Sequence, residues 1–191
     1  MNKIAILFTD YIIKKGMIEE ADHDTYTYGF VRVLETGLSI ICSLCIAALL
    51  GMIIEGILFF LIFIPLRSYA GGLHLEKYWS CFILSCLNLC TVLLIVKFLH
   101  VNIYLSFSLL TFFIFLVYFL YPVENKNRMV KADENEFFKM KLKRYLCLDV
   151  ILAVFFMIIK KDDYLLMIAA TFFMIAVTMV LGSVKYKKHN A

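Results

Sequence analysis

Two residues in one short polar segment have the types and the spacing that nucleophilic catalysis by a thiol requires. Cys81 lies where an apolar run begins, within the first turn of a helix that we expect to start near Tyr78. A helix N-terminus carries about half a positive charge, which stabilises a thiolate. His74 lies in the polar segment just before this helix, and a nucleophilic thiol needs a base within hydrogen-bond reach. The pair therefore predicts a Cys–His site.

The histidine and the cysteine can meet only if the chain bends between them. In one straight helix, the interval from His74 to Cys81 would separate the two backbones by roughly 10 Å along the axis. We therefore expect His74 to precede the helix and to fold over its N-terminus. Each residue alone has a commoner explanation, a polar loop residue for His74 and a packing residue for Cys81, and the residue types leave both explanations open.

Two glycines and an arginine lie just upstream of the histidine. Gly71 and Gly72 could offer backbone N–H groups to a developing oxyanion, or they could form a turn that needs unusual backbone angles, and we favour the turn. Arg67 could bind a substrate carboxylate, or it could anchor the chain at a membrane interface with its charged end in water.

Acidic residues inside apolar segments are candidates for a third catalytic role, because a charge within a bilayer is costly. Asp149 could orient His74, since it lies about one turn into an apolar run. Glu35 competes for this role, although it follows Arg32 by three residues and could simply form an ion pair with it on one helix.

The composition predicts that these residues are held by a membrane protein. The chain has 191 residues, of which 63% are hydrophobic, compared with about 45–50% in soluble domains. We expect an all-α integral membrane protein with about six transmembrane helices plus an N-terminal interfacial amphipathic helix, in a single membrane domain over 1–191. The predicted crossings are Phe30–Leu50, Ile53–Leu66, Trp79–Leu99, Ile103–Tyr121, Leu146–Lys160 and Tyr164–Ser183.

The basic residues predict the orientation in the membrane. With both termini in the cytoplasm, all of the 19 Lys and Arg residues except Lys97, Lys160 and Lys161 fall on the cytoplasmic side, as the positive-inside rule requires. This threading gives an amphipathic helix over 1–20, a catalytic cytoplasmic loop over 67–78 and a basic cytoplasmic loop over 123–145. The basic loop could bind anionic lipid or an acidic peptide substrate. The candidate substrate-binding residues there are Lys126, Arg128 and Lys131.

Several other classes of protein are disfavoured by the sequence. No nucleic-acid-binding signature and no HExxH or comparable metal-ligand cluster is found, so we expect no metal and no cofactor. The first 20 residues lack the pattern of a secretory signal peptide. Five of the six cysteines lie in apolar runs, where a free cysteine behaves as a small hydrophobic residue. Cys81 is the thiol placed to react.

The run Arg67-x-x-x-Gly71-Gly72-x-His74, followed by Cys81, resembles the signature of the accessory gene regulator B (AgrB) family. The size, the flanking apolar runs and the basic loop after Pro122 fit this resemblance, which covers nearly the whole chain. It implies a membrane peptidase of quorum-sensing systems, with Cys81 as nucleophile and His74 as its general base. Such proteins remove the C-terminal part of an AgrD-like propeptide and cyclise the remainder as a thiolactone or lactone.

Two alternatives to this function stay open. A non-enzymatic peptide exporter or assembly chaperone would have no special need for Cys81 or His74. A metal-dependent membrane hydrolase is disfavoured by the missing ligand cluster. The narrow bundle also makes a homodimer reasonable.

Overall fold

The chain folds as a bundle of α-helices. The structure, a computed structural model, describes residues 2–73, 78–122 and 132–187. Within these ranges the helices, in chain order, are α1 (Asn2–Lys14), α2 (His23–Leu49), α3 (Ile53–Ala70), α4 (Tyr78–Phe98), α5 (Ile103–Leu120), α6 (Ala132–Ile158) and α7 (Asp162–Lys187), with a short 3-10 turn at Glu20–Asp22 before α2.

Five helices, α2, α3, α4, α5 and α7, are long and apolar enough to cross a bilayer. Their apolar side chains point outward as well as inward, which suits a lipid solvent and would be unstable in water. Pro65, the proline inside α3, lies near the C-terminal end of that helix, where it interrupts little of the helix. The predicted all-α, multi-pass membrane fold is therefore confirmed.

The fifth predicted crossing, Leu146–Lys160, is only the apolar second half of α6. This half ends at Ile158, so it extends about 20 Å, less than the roughly 30 Å of a bilayer core. The first half of α6 belongs to the segment 123–145, which we predicted to be a loop. That prediction is wrong from Ala132 onward, because Lys, Glu, Met and Leu are strong helix formers even where the sequence is too polar to be buried.

The predicted catalytic loop, 67–78, is shorter than expected. Helix α3 continues through Arg67 to Ala70 and ends at Gly71, whose φ of 85° is unfavourable for other residues. Helix α4 is described from Tyr78 onward, and the connection starts at Gly71 instead of Arg67. The predicted start of α4 is confirmed.

Helix α1 confirms the expected N-terminal helix, and it packs along the start of α2. Ala5 and Thr9 are buried, and the Thr27 hydroxyl donates to Thr9 Oγ1 at 3.0 Å. Phe8 stacks on Phe30 with ring centroids 5.9 Å apart. Ile4, Leu7 and other apolar residues of α1 remain exposed, and their placement at a membrane interface stays a prediction.

Helix α7 is the central helix of the bundle. Of its most apolar stretch, 72% is buried, because α3, α4, α5 and α6 all pack against it. Fully buried side chains along its length hold the core together. They include Leu165, Ile168, Phe172 and Ile175.

The helix ends meet in two groups. At the first end, which we call the site end, Tyr69 of α3 stacks on Tyr145 of α6 with centroids 5.5 Å apart. There the Tyr121 hydroxyl, at the end of α5, also donates to Asn135 Oδ1 of α6 at 2.7 Å. At the opposite end Phe156 of α6 stacks on Tyr164 of α7, with centroids 5.0 Å apart. The site end therefore gathers the last turns of α3 and α5 and the first half of α6.

Candidate functional site

The backbone just before the candidate histidine is attached to the last helix. The N–H of Leu73 donates a hydrogen bond of 2.9 Å to the carbonyl of Thr178 in α7. This bond ties the connection between α3 and α4 to a helix that follows it by about a hundred residues. Residues 71–73 are consequently held at a defined place at the site end.

Arg67 binds the same segment from the side of α3. Its Nη1 donates to the carbonyl of Gly71 at 3.3 Å, and its Nη2 donates to the carbonyl of Leu73. Hydrogen bonds from a guanidinium are stronger than neutral ones. Arg67 therefore has a structural task at this turn, and binding of a substrate carboxylate stays a prediction.

Gly71 and Gly72 form a tight turn with left-handed backbone angles. Their φ values are 85° and 136°, and a Cβ added at Gly72 would lie 2.1 Å from Arg67 Nη1. The Gly71 N–H donates to the Arg67 carbonyl at 3.3 Å, so it is used to end α3. These observations favour the turn, and an oxyanion role for the two glycines stays a prediction.

A third glycine, Gly182 of α7, lets the turn approach that helix closely. A Cβ built at Gly182 would lie 2.8 Å from the carbonyl carbon of Gly72 and 2.8 Å from the nitrogen of Leu73. Both neighbours are backbone atoms, which cannot rotate away. Gly182 is absent from the predicted site residues, because an isolated glycine within a helical run does not by itself indicate what it contacts.

Cys81 lies in the first turn of α4, as predicted, and is half-buried. Its neighbours form an aromatic cluster in which the rings of Tyr78, Trp79 and Phe82 have centroids 5.3 to 5.9 Å apart. Trp79 is 67% exposed. Tryptophan and tyrosine are enriched where a transmembrane helix meets water, so this cluster is typical of a helix start at the membrane surface.

The other five cysteines are placed less favourably for nucleophilic catalysis than Cys81. All six are free thiols; Cys42, Cys86 and Cys90 are half-buried within α2 and α4, whereas Cys45 and Cys147 are exposed. The thiol of Cys86 lies 3.6 Å from the hydroxyl of Ser43, a contact between helices. Among the described residues, no group of three His, Cys, Asp or Glu side chains could hold a metal ion.

His74 lies outside the described residues, as do Lys126, Arg128 and Lys131. The structure therefore gives no distance between His74 and Cys81. The expected fold of His74 over the N-terminus of α4 stays a prediction. The structure does describe the residues on both sides of 74–77. Leu73 is bonded to α7, Tyr78 begins α4, and α4 packs against α7.

The two candidate orienting acids lie on different helices, Glu35 on α2 and Asp149 on α6. Glu35 of α2 accepts a hydrogen bond of 3.1 Å from Arg32, which is the ion pair that the sequence suggested. Helix α2 packs against α4, so Glu35 faces the helix that carries the thiol.

Asp149 is buried in α6, with 8% of its surface exposed. Its Oδ2 has no hydrogen-bond partner among the residues that the structure describes. It lies one turn, about 6 Å along the axis, beyond Tyr145, which stacks on Tyr69. Helix α6 packs mainly against α3 and α7. Asp149 therefore lies deeper in the bundle than the turn at Gly71. Its helix, α6, is not among the main packing partners of α2.

A basic cavity runs along the first half of α6. It is open to the surface, with a volume of about 940 Å³. Its described lining lies entirely on α6 and combines positive charge with apolar surface. The basic residues of this lining are Lys139, Lys143 and Arg144, and the others are Asn135, Glu136, Phe137, Met140 and Cys147. These basic residues were part of the predicted basic loop, but only their helical arrangement shows that they share one face.

Comparisons with known proteins agree with the resemblance seen in the motif. The model of the family described as Accessory gene regulator B matches residues 5–180. A protein of Clostridium perfringens strain SM101, named "Putative AgrB-like protein", is 27% identical over 116 residues, 57% of this chain and 54% of that protein. "Putative AgrB-like protein 2" of C. perfringens strain 13 matches to the same extent.

The matched region thus spans about half the length of these curated relatives. No solved structure gives a significant match. The family model, in contrast, covers nearly all seven helices, including the turn at Gly71, Cys81 and the central helix α7. The chain belongs to the AgrB family.

Proposed function

We propose that this protein is a membrane cysteine endopeptidase that cleaves the C-terminal part from an AgrD-like signal propeptide and promotes cyclisation of the remainder. Family membership supports involvement in the accessory gene regulator quorum-sensing system. The single observation that carries the enzymatic proposal is the anchored turn. Leu73, the residue before His74, is fixed to α7, and α7 packs against the helix whose first turn carries Cys81.

The first chemical step is acyl transfer to the protein. The thiolate of Cys81 attacks the scissile carbonyl, and a tetrahedral intermediate forms. The C–N bond then breaks, and the protonated imidazole of His74 gives its proton to the leaving amine. The products of this step are the released C-terminal peptide and an acyl thioester on Cys81.

The second step closes the ring. A thiol or hydroxyl within the bound fragment attacks the thioester carbonyl and transfers its proton to His74, and Cys81 leaves as a thiolate. With a thiol the exchange costs little free energy, because one thioester replaces another. Water would hydrolyse the intermediate, so a site at a membrane surface suits the reaction.

The propeptide would dock along the basic face of α6. Lys139, Lys143 and Arg144 offer positive charge beside exposed Phe137 and Met140, which fits an acidic, amphipathic peptide. Lys126, Arg128 and Lys131 precede this face in the chain and would extend it. The site end would face the cytoplasm, together with both termini, and a homodimer stays a prediction.

The test is cleavage of a panel of synthetic AgrD-like propeptides by the protein in liposomes. Wild-type protein and Cys45→Ala, a change at an exposed thiol of α2, are expected to release the C-terminal fragment, whereas Cys81→Ala and His74→Ala release none above background. A non-enzymatic exporter or chaperone predicts equal processing by Cys81→Ala and wild type. That result would overturn the peptidase proposal while leaving the membrane fold intact.

A further inference from the structure

We propose that α7 positions the catalytic histidine. The carbonyl of Thr178 and the side-chain-free backbone at Gly182 form a seat for residues 71–73, and this seat fixes the chain at the point where His74 begins. The inference rests on the proposed function, since it assigns Gly182 as a positioning residue for the Cys–His reaction.

The seat uses one helical carbonyl twice. In an α-helix the carbonyl of Thr178 faces the N–H of the residue four positions later, which is Gly182. A carbonyl oxygen has two lone pairs and can accept a second bond, and here the second donor is the N–H of Leu73 at 2.9 Å. The helix therefore presents an acceptor at the place where it lacks a side chain.

Gly182 is needed because the approach is too close for any other residue. A Cβ there would lie 2.8 Å from two backbone atoms of the turn and 3.2 Å from the Cα of Gly72. Backbone atoms cannot yield as a flexible side chain can, so a larger residue must push the turn off α7.

The seat matters for catalysis because it fixes one end of a short connection. Residues 74–77 join Leu73 to Tyr78, where α4 starts, and adjacent Cα atoms are only about 3.8 Å apart. Moving the turn would move the imidazole relative to Cys81. A misplacement of about 1 Å can reduce a catalysed rate by about 100-fold.

The test measures the reactivity of Cys81 toward iodoacetamide in the full-length protein, which requires no propeptide. Peptide mass spectrometry reports the alkylation rates of Cys81 and of Cys147, an exposed reference thiol. A histidine within hydrogen-bond reach activates a thiol, so at pH 6 wild-type Cys81 should react about tenfold faster than Cys147. His74→Ala and Gly182→Ala should both remove this advantage.

Matched variants separate positioning from general damage. Gly37→Ala, where an added Cβ meets nothing within 4 Å, should react like wild type. Leu73→Pro removes the N–H donor, although it also fixes φ at that position, and it is the second variant if Gly182→Ala fails to fold; Leu73→Ala loses the same side chain but retains the donor and should behave like wild type.

Two results would overturn the inference, and they are distinguishable. If wild-type Cys81 is activated and remains so in both Gly182→Ala and Leu73→Pro, the seat has no positioning role while the proposed function stands. If His74→Ala leaves Cys81 as reactive as in wild type, the Cys–His pair itself fails, and the seat fails with it.

Discussion

The backbone N–H of Leu73 lies 2.9 Å from the carbonyl oxygen of Thr178 and donates a hydrogen bond to it. This bond connects the segment that leads into His74 with the most buried helix of the bundle. Arg67 binds the carbonyls on the other side of the same turn. The candidate site is therefore built on α7 as well as on the two helices that flank the motif.

Replacing Gly72 by alanine should disrupt the turn. The new Cβ would overlap the guanidinium of Arg67, 2.1 Å from Nη1, at a φ of 136°. Arg67 would have to release the carbonyls of Gly71 and Leu73. We expect propeptide processing to fall by about 100-fold, measured as the initial rate of fragment release in liposomes.

Gly51→Ala is the matched control for this change. Gly51 also has a positive φ, 74°, but an added Cβ would meet nothing within 4 Å. It should therefore lose about 1–2 kcal/mol of stability from backbone strain alone and keep its processing rate. Equal loss of processing in both variants would show that strain, and not the contact with Arg67, explains the effect.

The two acids should differ in their effect on catalysis. Glu35 lies on α2, which packs against α4. We predict that Glu35→Gln slows processing by at least about tenfold, whereas Asp149→Asn changes the rate by less than about twofold. Rates and thermal unfolding of both purified variants would be compared. The reverse order of rates, with both variants folded, would assign the orienting role to Asp149.

Charge reversal on α6 should weaken substrate binding. Lys143 and Arg144 line the basic cavity, so a variant with both residues changed to Glu should raise KM for an acidic propeptide by about tenfold or more with little change in kcat. Lys161→Glu, an exposed change at the opposite end, is the control. A KM unaffected by the α6 changes but sensitive to the vesicle content of anionic phospholipid would identify the cavity as a lipid site.

The orientation of the bundle is testable by labelling single cysteines in a cysteine-free background. Lys161→Cys lies between α6 and α7 at the end opposite the site end, and Lys139→Cys lies in the first half of α6. With a membrane-impermeant maleimide on intact cells, Lys161→Cys should react, and Lys139→Cys should react only after permeabilisation. The opposite pattern would place the site end outside the cell.

The sequence predicted the helical membrane fold and the start of α4 because both depend on local properties. Apolar runs specify spans of a certain length, and the change from polar to apolar residues near Tyr78 specifies where α4 begins. The first half of α6 is helical although its charges predict a solvated loop. Polarity excludes burial but does not exclude a helix.

The contacts that build the site could not be predicted, since they join distant segments. Nothing in the sequence near Leu73 indicates Thr178, and Gly182 resembles any small residue of an apolar helix. Likewise, Glu35 and Asp149 look equivalent as isolated acids in apolar runs. Only the packing of α2 on α4 and of α6 on α3 and α7 separates them.

The most direct test of the account is the mass of the protein during turnover. Protein in liposomes would be incubated with AgrD-like propeptides, quenched in acid and digested, and the peptide containing Cys81 would be examined by mass spectrometry. We expect a thioester adduct on Cys81 that has the mass of the N-terminal propeptide fragment. This adduct should be absent from Cys81→Ala and strongly reduced in His74→Ala. Processing that continues in Cys81→Ala, or an adduct on another thiol, would contradict it.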